Sequence, residues 1–448
     1  MIRTRHAAKG GYAISLFGLS LLGLLGLISP GAARAEKIVA KDGDWELFTD
    51  GRAGVFLSYV HGQGRPLSTV DASGNVIHTV VGGGYDPSAS ERDPVVGGAP
   101  GQLTQGSIEE MRLRSGFIAN TFGFGVRGPI DDKSRITGYV QIWSLAETDG
   151  RTKNRPNIVD VRQVYARLDG WWGTVTAGRQ RALVSRGATD IDAMYAHRWG
   201  LGSPGNLEGN GPTAGQIGFG VLGSGFTAGV VYGTPTLAGF QLNIGAFDPI
   251  QIPAGNWTRT KYARPEAELT FERPVGTLGK FVLFANGLYQ KLYHDGKPDS
   301  DSATAAGVGY GGRLELGPAR LGVAGHYGKG LGLTYALESS EANTDLQNKL
   351  RVFDGYYVQA MVVLGRLDVS AGWGIARVFL NDIDKVPDVN GNIPASVIKY
   401  QMGNSAGLVF HVKPWLHLDL DFFRADFVWY LGEKQVVYIA NSGITFNW

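Results

Sequence analysis

The chain has no cysteine and no excess of basic residues. Without cysteine, thiolate metal sites, thiol nucleophiles and disulfide bridges are excluded. The 42 Lys and Arg residues are matched by 40 Asp and Glu residues. Four of the basic residues, Arg3, Arg5, Lys9 and Arg34, lie at the N-terminus, and without them 38 basic residues oppose 40 acidic ones. Nucleic acid is therefore not an expected partner.

Long apolar runs are missing beyond the first 35 residues, so we expect no membrane-spanning helix there. The apolar run YAISLFGLSLLGLLGLI at 12–28 follows a positively charged start and precedes the small-x-small site Ala33-Arg34-Ala35. This order is typical of a secretory signal peptide, and the run is short for a spanning helix. We therefore predict a cleaved signal peptide over 1–35 and an exported domain over 36–448.

Alternating apolar and polar residues dominate the exported part, and glycine is abundant at 67 of 448 residues. Alternation with a period of two predicts β-strands. Sixteen such segments can be recognised, although a count of eighteen remains open. They are 50–60, 112–126, 135–146, 159–168, 173–180, 225–235, 239–247, 263–272, 280–293, 305–316, 319–333, 352–364, 366–380, 400–412, 416–430 and a terminal strand from about Val436.

The connections between these segments alternate between short and long. This rhythm predicts an all-β fold, an antiparallel transmembrane β-barrel with short periplasmic turns and long extracellular loops. In hydrocarbon a sheet must close on itself to satisfy its backbone hydrogen bonds. Charged Asp419 and Asp421 alternate with Leu418 and Leu420, which indicates a water-filled lumen on one face. The pattern changes parity at Phe422-Phe423, which predicts either a β-bulge or the end of the membrane span.

The chain ends with VYIANSGITFNW, an alternating strand rather than a polar tail. We predict that Phe446, Ile444 and Tyr438 face lipid or a neighbouring subunit, and that this strand closes the barrel. Trp448 then lies at the periplasmic interface. Trp171, Trp172 and Trp415 lie in short turns, where an interfacial aromatic belt is expected.

Four stretches resemble those of a known family. DGRAGVFL (50–57) is similar to its opening strand, and WWGTVTAGRQ (171–180) to the turn and strand before its third loop. VYGTPTLAGF (231–240) is similar to a Tyr-x-Ser-Pro-x-x-x-Gly-Phe stretch, with Thr234 in place of serine. The fourth is the terminal aromatic strand, with Trp448 where most members end on phenylalanine. Together they resemble the general trimeric porins of the Gram-negative outer membrane.

The resemblance implies a homotrimer that contacts outer-membrane lipid and lipopolysaccharide. It implies insertion by the barrel-assembly machinery, with Phe446 and Trp448 as the recognised end. The implied function is passive diffusion of ions and small hydrophilic solutes through a lumen that the third loop narrows. In the family, loop acids face wall arginines across this constriction, and such a field orders water and polar solutes.

The candidate constriction residues follow from this resemblance and from strand parity. The wall candidates are Arg52, Arg112, Arg114 and Arg162, and the loop candidates are Asp190, Asp192 and Glu208. If these arginines face inward, Val55, Leu57, Leu113, Phe117 and Tyr165 face outward, while Val164 and Ala166 face inward. Val231 stands where many members carry a further arginine, which leaves the ion preference open.

Arg179 has outward parity, because Gln180 faces the lumen. In the family an equivalent arginine meets an acid from a neighbour's second loop at the trimer interface. Glu147 and Asp149 are the candidate partners here.

Two other functions remain open. The first is a substrate-selective channel for a sugar, phosphate or an organic acid. The long first loop at 61–106 is compatible with this function. The second is an outer-membrane barrel enzyme, which would need a catalytic constellation at one rim. No cofactor and no metal centre are expected, although DVNGN at 388–392 could hold a weak loop-bound Ca²⁺.

Overall fold

The structure is a computed structural model that describes residues 36–70, 73, 76–85, 106–118, 120–144, 159–194, 214–276, 279–338, 340–387 and 395–448. The predicted signal peptide, Glu147, Asp149, Glu208 and the 388–392 stretch lie outside the described residues. None of the described helices has the length and apolar character needed to cross a membrane.

The described residues form one sheet of twenty strands, all but one pair of which run antiparallel. The N-terminal half contains β1 Lys37–Asp42, β2 Trp45–Gln63, β3 Thr69–Val70, β4 Val76–Val81, β5 Ser107–Arg114, β6 Asn120–Asp131, β7 Ser134–Ser144, β8 Val159–Gly170, β9 Gly173–Arg181, α1 Arg186–Ile191, β10 Phe226–Gly233 and β11 Phe240–Phe247. The C-terminal half contains β12 Arg264–Val275, β13 Gly279–Tyr293, β14 Ser302–Leu316, β15 Ala319–Lys329, β16 Val352–Leu364, β17 Leu367–Phe379, β18 Ala395–Lys413, β19 Leu416–Trp429 and β20 Lys434–Asn447. Short 3₁₀ helices span Pro253–Gly255, Glu341–Asn343 and Asp382–Lys385.

Strand β2 closes the barrel by pairing with neighbours on both of its edges. On one edge it meets β5 and then β6, which follow each other in line, and on the other it meets β20 and then β1. The join is completed by Gly51 and Trp448, whose amides donate to each other's carbonyls at 2.8 and 3.0 Å. With β5 and β6 counted as one interrupted strand, sixteen strands span the barrel, as the alternation predicts.

The two faces of the wall separate as expected for a lipid-facing exterior and a polar lumen. On β19, Leu418 and Leu420 are 45% and 55% exposed, whereas Asp419 and Asp421 are buried on the inner face. The terminal strand behaves likewise, because Phe446, Ile444 and Tyr438 point outward and its asparagines point inward. The alternation of apolar and polar residues along these strands therefore reflects the lipid-facing exterior and the polar lumen.

Of the two explanations for the change of pattern at Phe422-Phe423, the predicted β-bulge is wrong. The pairing of β19 with β18 continues through both residues without a register shift, so Phe423, Ala425 and Phe427 simply lie on the inner face. That face becomes apolar because folded loops pack against it. They form a continuous apolar core with the outer half of the lumen wall, and Val437 and Ile439 of β20 join it.

The predicted segment 112–126 is interrupted. Strand β5 ends at Arg114 and β6 begins at Asn120, and Gly116 between them has a left-handed φ of 86°. Phe117 is consequently turned inward, and its ring stacks on Tyr335 with the centroids 5.8 Å apart. The outward orientation predicted for Phe117 is therefore wrong, because the chain leaves the ladder at this point.

The described part of the first loop packs into the mouth of the barrel on the long-loop side. Its strand β4 pairs in parallel with β18, and Tyr85 is almost fully buried. The side chain of Gln435 accepts from Tyr85 N at 2.7 Å and donates to Tyr85 O at 2.8 Å. Trp429 donates its indole N–H to Gly82 O at 3.0 Å. We call the segment 76–85 the strap.

Candidate pore and constriction

The third loop leaves the wall after β9 because side chains of β12 capture its backbone. Glu266 Oε2 accepts from Leu183 N at 2.7 Å and from Val184 N at 2.9 Å. Arg186, at the start of α1, forms an ion pair with Glu268 of the same strand. These contacts direct the loop into the lumen instead of away from the barrel.

The returning part of the loop then lies against the wall formed by β17, β18 and β19. Phe219 packs on Phe423 and Phe427, with ring centroids 5.0 and 5.9 Å apart. Gln216 Nε2 donates to Ser405 Oγ at 2.8 Å, and Gln401 donates to Gly218 O. Since β9 and β17 are eight spanning strands apart in a ring of sixteen, the loop crosses the lumen. The fold implied by the family resemblance therefore includes the inward third loop.

The two loop acids that the sequence singles out make different contacts. Asp190 pairs with Arg181 at 2.8 Å, close to the point where the loop leaves β9. Asp192 is almost completely buried and accepts from Met194 N at 2.8 Å, Gln216 N at 2.7 Å and Gln359 Nε2 at 2.6 Å. Asp192 thus ties both ends of the loop to β16.

Arginines line the inner face of the strands β2 and β5 to β8. Arg52 is buried on β2, and Arg112 and Arg114 of β5 approach Glu110 at 3.6 and 3.4 Å. Leu113 points outward and is 64% exposed, as its parity predicts. We call this face the arginine wall.

Arg162 reaches the lumen through a bulge that the sequence does not reveal. The β7–β8 register pairs Gln141 with Gln163 and Ile142 with Val161, so Arg162 is the extra residue. Its guanidinium lies 4.5 Å from the ring centre of Trp143 and its Nε is 2.9 Å from Asp160. The shift of parity also makes two predictions wrong. Val164 and Ala166 are exposed on the outer face, and Tyr165 faces the lumen beside Tyr139.

Three further arginines of the wall were missed by sequence reasoning. Arg127, Arg135 and Arg167 line a cavity of about 500 Å³ near the short-turn rim, together with Tyr139 and Tyr165. Arg127 lies in the stretch GFGVRG, where Gly123 and Gly125 occupy the inner face of β6 beside large aromatic side chains. Inward parity from those glycines is the signal that could have found it.

Arg179 lies on the outer face, as its parity predicts, and its Nη2 is 3.8 Å from Asp160 Oδ1 of the same chain. Its candidate partners Glu147 and Asp149 lie outside the described residues.

An acidic inner face adjoins the arginine wall. Asp368, Asp419 and Asp421 lie on β17 and β19, where His411 Nε2 is 3.0 Å from Asp368 Oδ2. Asn441 and Thr445 of the closing strand donate to Asp421 and Asp419 at 2.7 and 3.0 Å. The lumen therefore carries an arginine-bearing sector and an acidic sector side by side.

A closed sixteen-strand barrel with apolar exterior, charged lumen and inward third loop defines a channel of the outer-membrane type. A family model described as Gram-negative porin matches residues 27–393. The chain belongs to this family. It is an outer-membrane channel for passive diffusion in a Gram-negative bacterium.

Solved structures with the same fold include three outer-membrane proteins. The outer membrane channel DcaP of Acinetobacter baumannii is 12% identical with a TM-score of 0.60, and the match covers 91% of this chain and 99% of that one. The anion-selective porin from Comamonas acidovorans is 11% identical with a TM-score of 0.53, covering 90% and 100%. OmpT of Vibrio cholerae is 13% identical with a TM-score of 0.50, covering 92% and 100%. Comparison with curated protein sequences finds no match.

Proposed function

We propose that solutes pass between the third loop and the arginine wall, and that this gap is the constriction. The observation that carries the proposal is the position of α1, which contacts β13, β14 and β15. These strands lie about halfway round the ring from β5, β6, β7 and β8. The described part of the loop therefore lies on the far side of the lumen, opposite the arginine-bearing side.

Because the arginines of the wall are paired with acids, we expect the channel to discriminate solutes weakly, by size and polarity, rather than to select strongly between anions and cations. Arg112 and Arg114 share Glu110, and Arg162 shares Asp160, so much of the positive field is balanced locally. A transverse field of this kind orders water in a narrow passage and favours small hydrophilic solutes.

Planar-bilayer conductance under a salt gradient tests this path. Arg114→Gln should shift the reversal potential toward cation preference, since its guanidinium is in the proposed gap. Arg273→Gln is the matched control, because Arg273 is exposed on the outer face of β12. Equal reversal potentials for the wild type and both variants would place the solute path elsewhere.

We also propose a homotrimer, in which Arg179 forms part of the subunit interface and the second-loop acids Glu147 and Asp149 complete it. The outward position of Arg179 supports this, because a charge on the outer face of a barrel strand is costly in lipid. Arg179→Leu should lower the temperature at which the trimer dissociates on a semi-native gel, whereas Arg167→Leu should not. Contact with lipopolysaccharide and recognition of Phe446 and Trp448 by the assembly machinery belong to the same proposal.

A solute-selective channel is the second candidate, and the buried strap favours it. A segment that is attached to the wall at the mouth of the barrel can restrict which solutes enter. We propose that either form works without a cofactor. Liposome swelling with sugars of increasing size separates the candidates. A smooth decline with size indicates general diffusion, and one anomalously fast solute indicates selection.

A further inference from the structure

Three arginines line the same cavity as Thr137 at the short-turn end of the arginine wall. Arg127 pairs with Thr137 across β6 and β7, and Thr137 pairs with Arg167 across β7 and β8. Arg135 is the next inward residue of β7. Neighbouring strands lie about 4.8 Å apart and alternate residues about 6.7 Å apart, so the three side chains can reach a common point. We call this group the periplasmic arginine cluster.

The cluster already binds a carboxylate of its own chain. Glu36, which precedes β1, places Oε2 at 2.6 Å from Arg127 Nη1. Arg127 is also held from behind, with its Nε at 2.8 Å from Glu46 Oε2 and its guanidinium 4.8 Å from the ring centre of Phe48. One face of the guanidinium is thus fixed by the wall, and the other is presented to an oxyanion.

Glu36 is the most weakly held of the carboxylates around the cluster. Its side chain is 43% exposed, and all residues of the adjoining β1 are exposed as well. By contrast, Glu46 is on β2 and receives Lys41 as well as Arg127. Asp169 accepts from Arg167 and from Thr174 Oγ1 at 3.0 Å. An exposed ion pair contributes little stability, so Glu36 can be displaced at small cost.

Arg135 supplies the remaining binding capacity. Its side chain is 53% exposed, and its Nη2 comes only within 3.9 Å of Glu46 Oε2. It stands between Arg127 and Arg167 in the cavity of about 500 Å³. An oxyanion that displaced Glu36 would gain charge-assisted hydrogen bonds from Arg127 and Arg135 together.

We propose that the periplasmic arginine cluster is a binding subsite for small solutes that carry a carboxylate or phosphate group, with Glu36 as its displaceable internal ligand. The subsite rests on the proposed solute path along the arginine wall. It would bind anionic solutes near the periplasmic exit of the channel. Glu36 would compete with these solutes for Arg127 and so shorten their residence time.

Single-channel recording with inorganic phosphate in one arm and citrate in the other tests the subsite. The salt concentration should be low, because salt screens exposed charges. Glu36→Gln frees Arg127 and should lower the half-blocking concentration by roughly two- to fivefold, in line with the strength of an exposed ion pair. Arg135→Gln should raise it by a similar factor. Block by only one of the two anions identifies which oxyanion the cavity accommodates.

Glu109→Gln and Arg273→Gln are the matched controls, since both side chains are exposed on the outer face. Should Arg135→Gln fail to insert, Arg167→Gln removes a second member of the cluster. Pores that open normally but show the same half-blocking concentration in Glu36→Gln, the arginine variant and the controls would overturn the subsite alone. Absence of pores from folded wild-type protein would overturn the solute path on which it rests.

Discussion

Asp192 shows how one buried carboxylate organises the constriction. Its two oxygens accept hydrogen bonds from the backbone amides of Met194 and Gln216 and from the side chain of Gln359. The family resemblance assigned it to the charged lining, but its burial makes it a structural tie within the third loop. Replacement should therefore affect the position of the loop more than the field in the pore.

We predict that Asp192→Asn lowers the free energy of unfolding of the loop by about 1–3 kcal/mol, because one oxygen acceptor becomes a donor that faces other donors. Single-channel recording should show frequent transitions between conductance levels. Asp190→Asn is the control, since the Asp190 side chain is partly exposed and forms an ion pair with Arg181 at 2.8 Å. Quiet channels with only a shifted reversal potential would show that Asp192 acts through its charge.

Gly51 is the second residue on which the fold depends, because the indole of Trp448 occupies the space where a side chain would be. A Cβ on Gly51 would overlap the ring of Trp448, which also contacts Phe122 and Phe446 with centroids 5.4 and 5.6 Å apart. Trp448 is therefore part of the seam between the first and last strands.

We predict that Gly51→Ala displaces the Trp448 ring and weakens closure. The folded band on a semi-native gel should disappear at a lower temperature, with a loss of about 1–3 kcal/mol, as for overpacking in a core. Gly138→Ala is a close control, because it also lies within a barrel strand and nothing approaches its Cβ position within 4 Å. Equal melting of the two variants would contradict a role for the indole in closure.

At the level of elements, the strands could be predicted because the two environments of a barrel wall alternate with every residue. Leu418, Asp419 and Leu420 carry that alternation in the sequence itself. The sequence does not reveal the interruption at Gly116 or the bulge at Arg162. An extra residue in a β-ladder can be recognised only from the pairing with the neighbouring strand, which the local sequence does not contain. The orientations of Phe117, Val164 and Tyr165 failed for this reason.

The site was predictable to a smaller extent than the wall. Strand parity placed Arg52, Arg112 and Arg114 on the inner face, because it depends only on local alternation. The partners of Asp192 and the strap come from distant strands. Gln359 and Gln435, for example, lie 167 and 350 residues from the groups they bind. Nothing in the local sequence marks such contacts.

The side chain of Gln435 holds the strap by two hydrogen bonds to the backbone of Tyr85. We predict that Gln435→Leu releases it, because the N–H and C=O of buried Tyr85 would each lose a partner, at about 1–3 kcal/mol per group. Limited proteolysis should then cut the first loop faster, and conductance should rise. Gln241→Leu, which affects a hairpin on the short-turn side, is the control. Unchanged proteolysis and conductance would show that apolar packing alone holds the strap.

The loop that follows β13 is attached to the loop that precedes β12 by surface ion pairs of Asp299 with Arg259 and Lys261. Hydrogen bonds from Lys261 and then from Arg259 hold the pKa of Asp299 below its usual range. A depressed carboxylate pKa adds stability that is present above the unfolded value of 3.8 and is lost as the pH falls through the folded pKa. We predict that the protection of amides in 294–301 against hydrogen exchange falls as the pH drops below 3.8 and through the lowered pKa of Asp299. Asp299→Asn should show low protection at every pH, and wild-type protection that does not change with pH would contradict the clamp.

For the whole molecule, the residues on the outer face of the barrel indicate where the hydrocarbon layer of the membrane ends. On β19 the outward residues Leu418, Leu420 and Phe422 are apolar, and the next one, Arg424, is charged and pairs with Asp426 at 2.7 Å. A tilted strand needs about 9–11 residues to cross the bilayer, so a strand that begins at Leu416 reaches the outer interface near Arg424. Trp415 packs on Phe446 at the opposite rim, with centroids 5.6 Å apart.

We therefore predict that Leu420→Arg and Arg424→Leu, at positions four residues apart on the outer face of the same strand, have very different effects. Leu420→Arg places a charge near the bilayer midplane and should cost about 2–4 kcal/mol, whereas a change near the interface should cost about 0–1 kcal/mol. Denaturant titration of the protein folding into lipid vesicles measures both. Similar losses for the two variants would mean that the barrel sits at a different depth, and that the apolar band on β19 does not define the hydrocarbon layer.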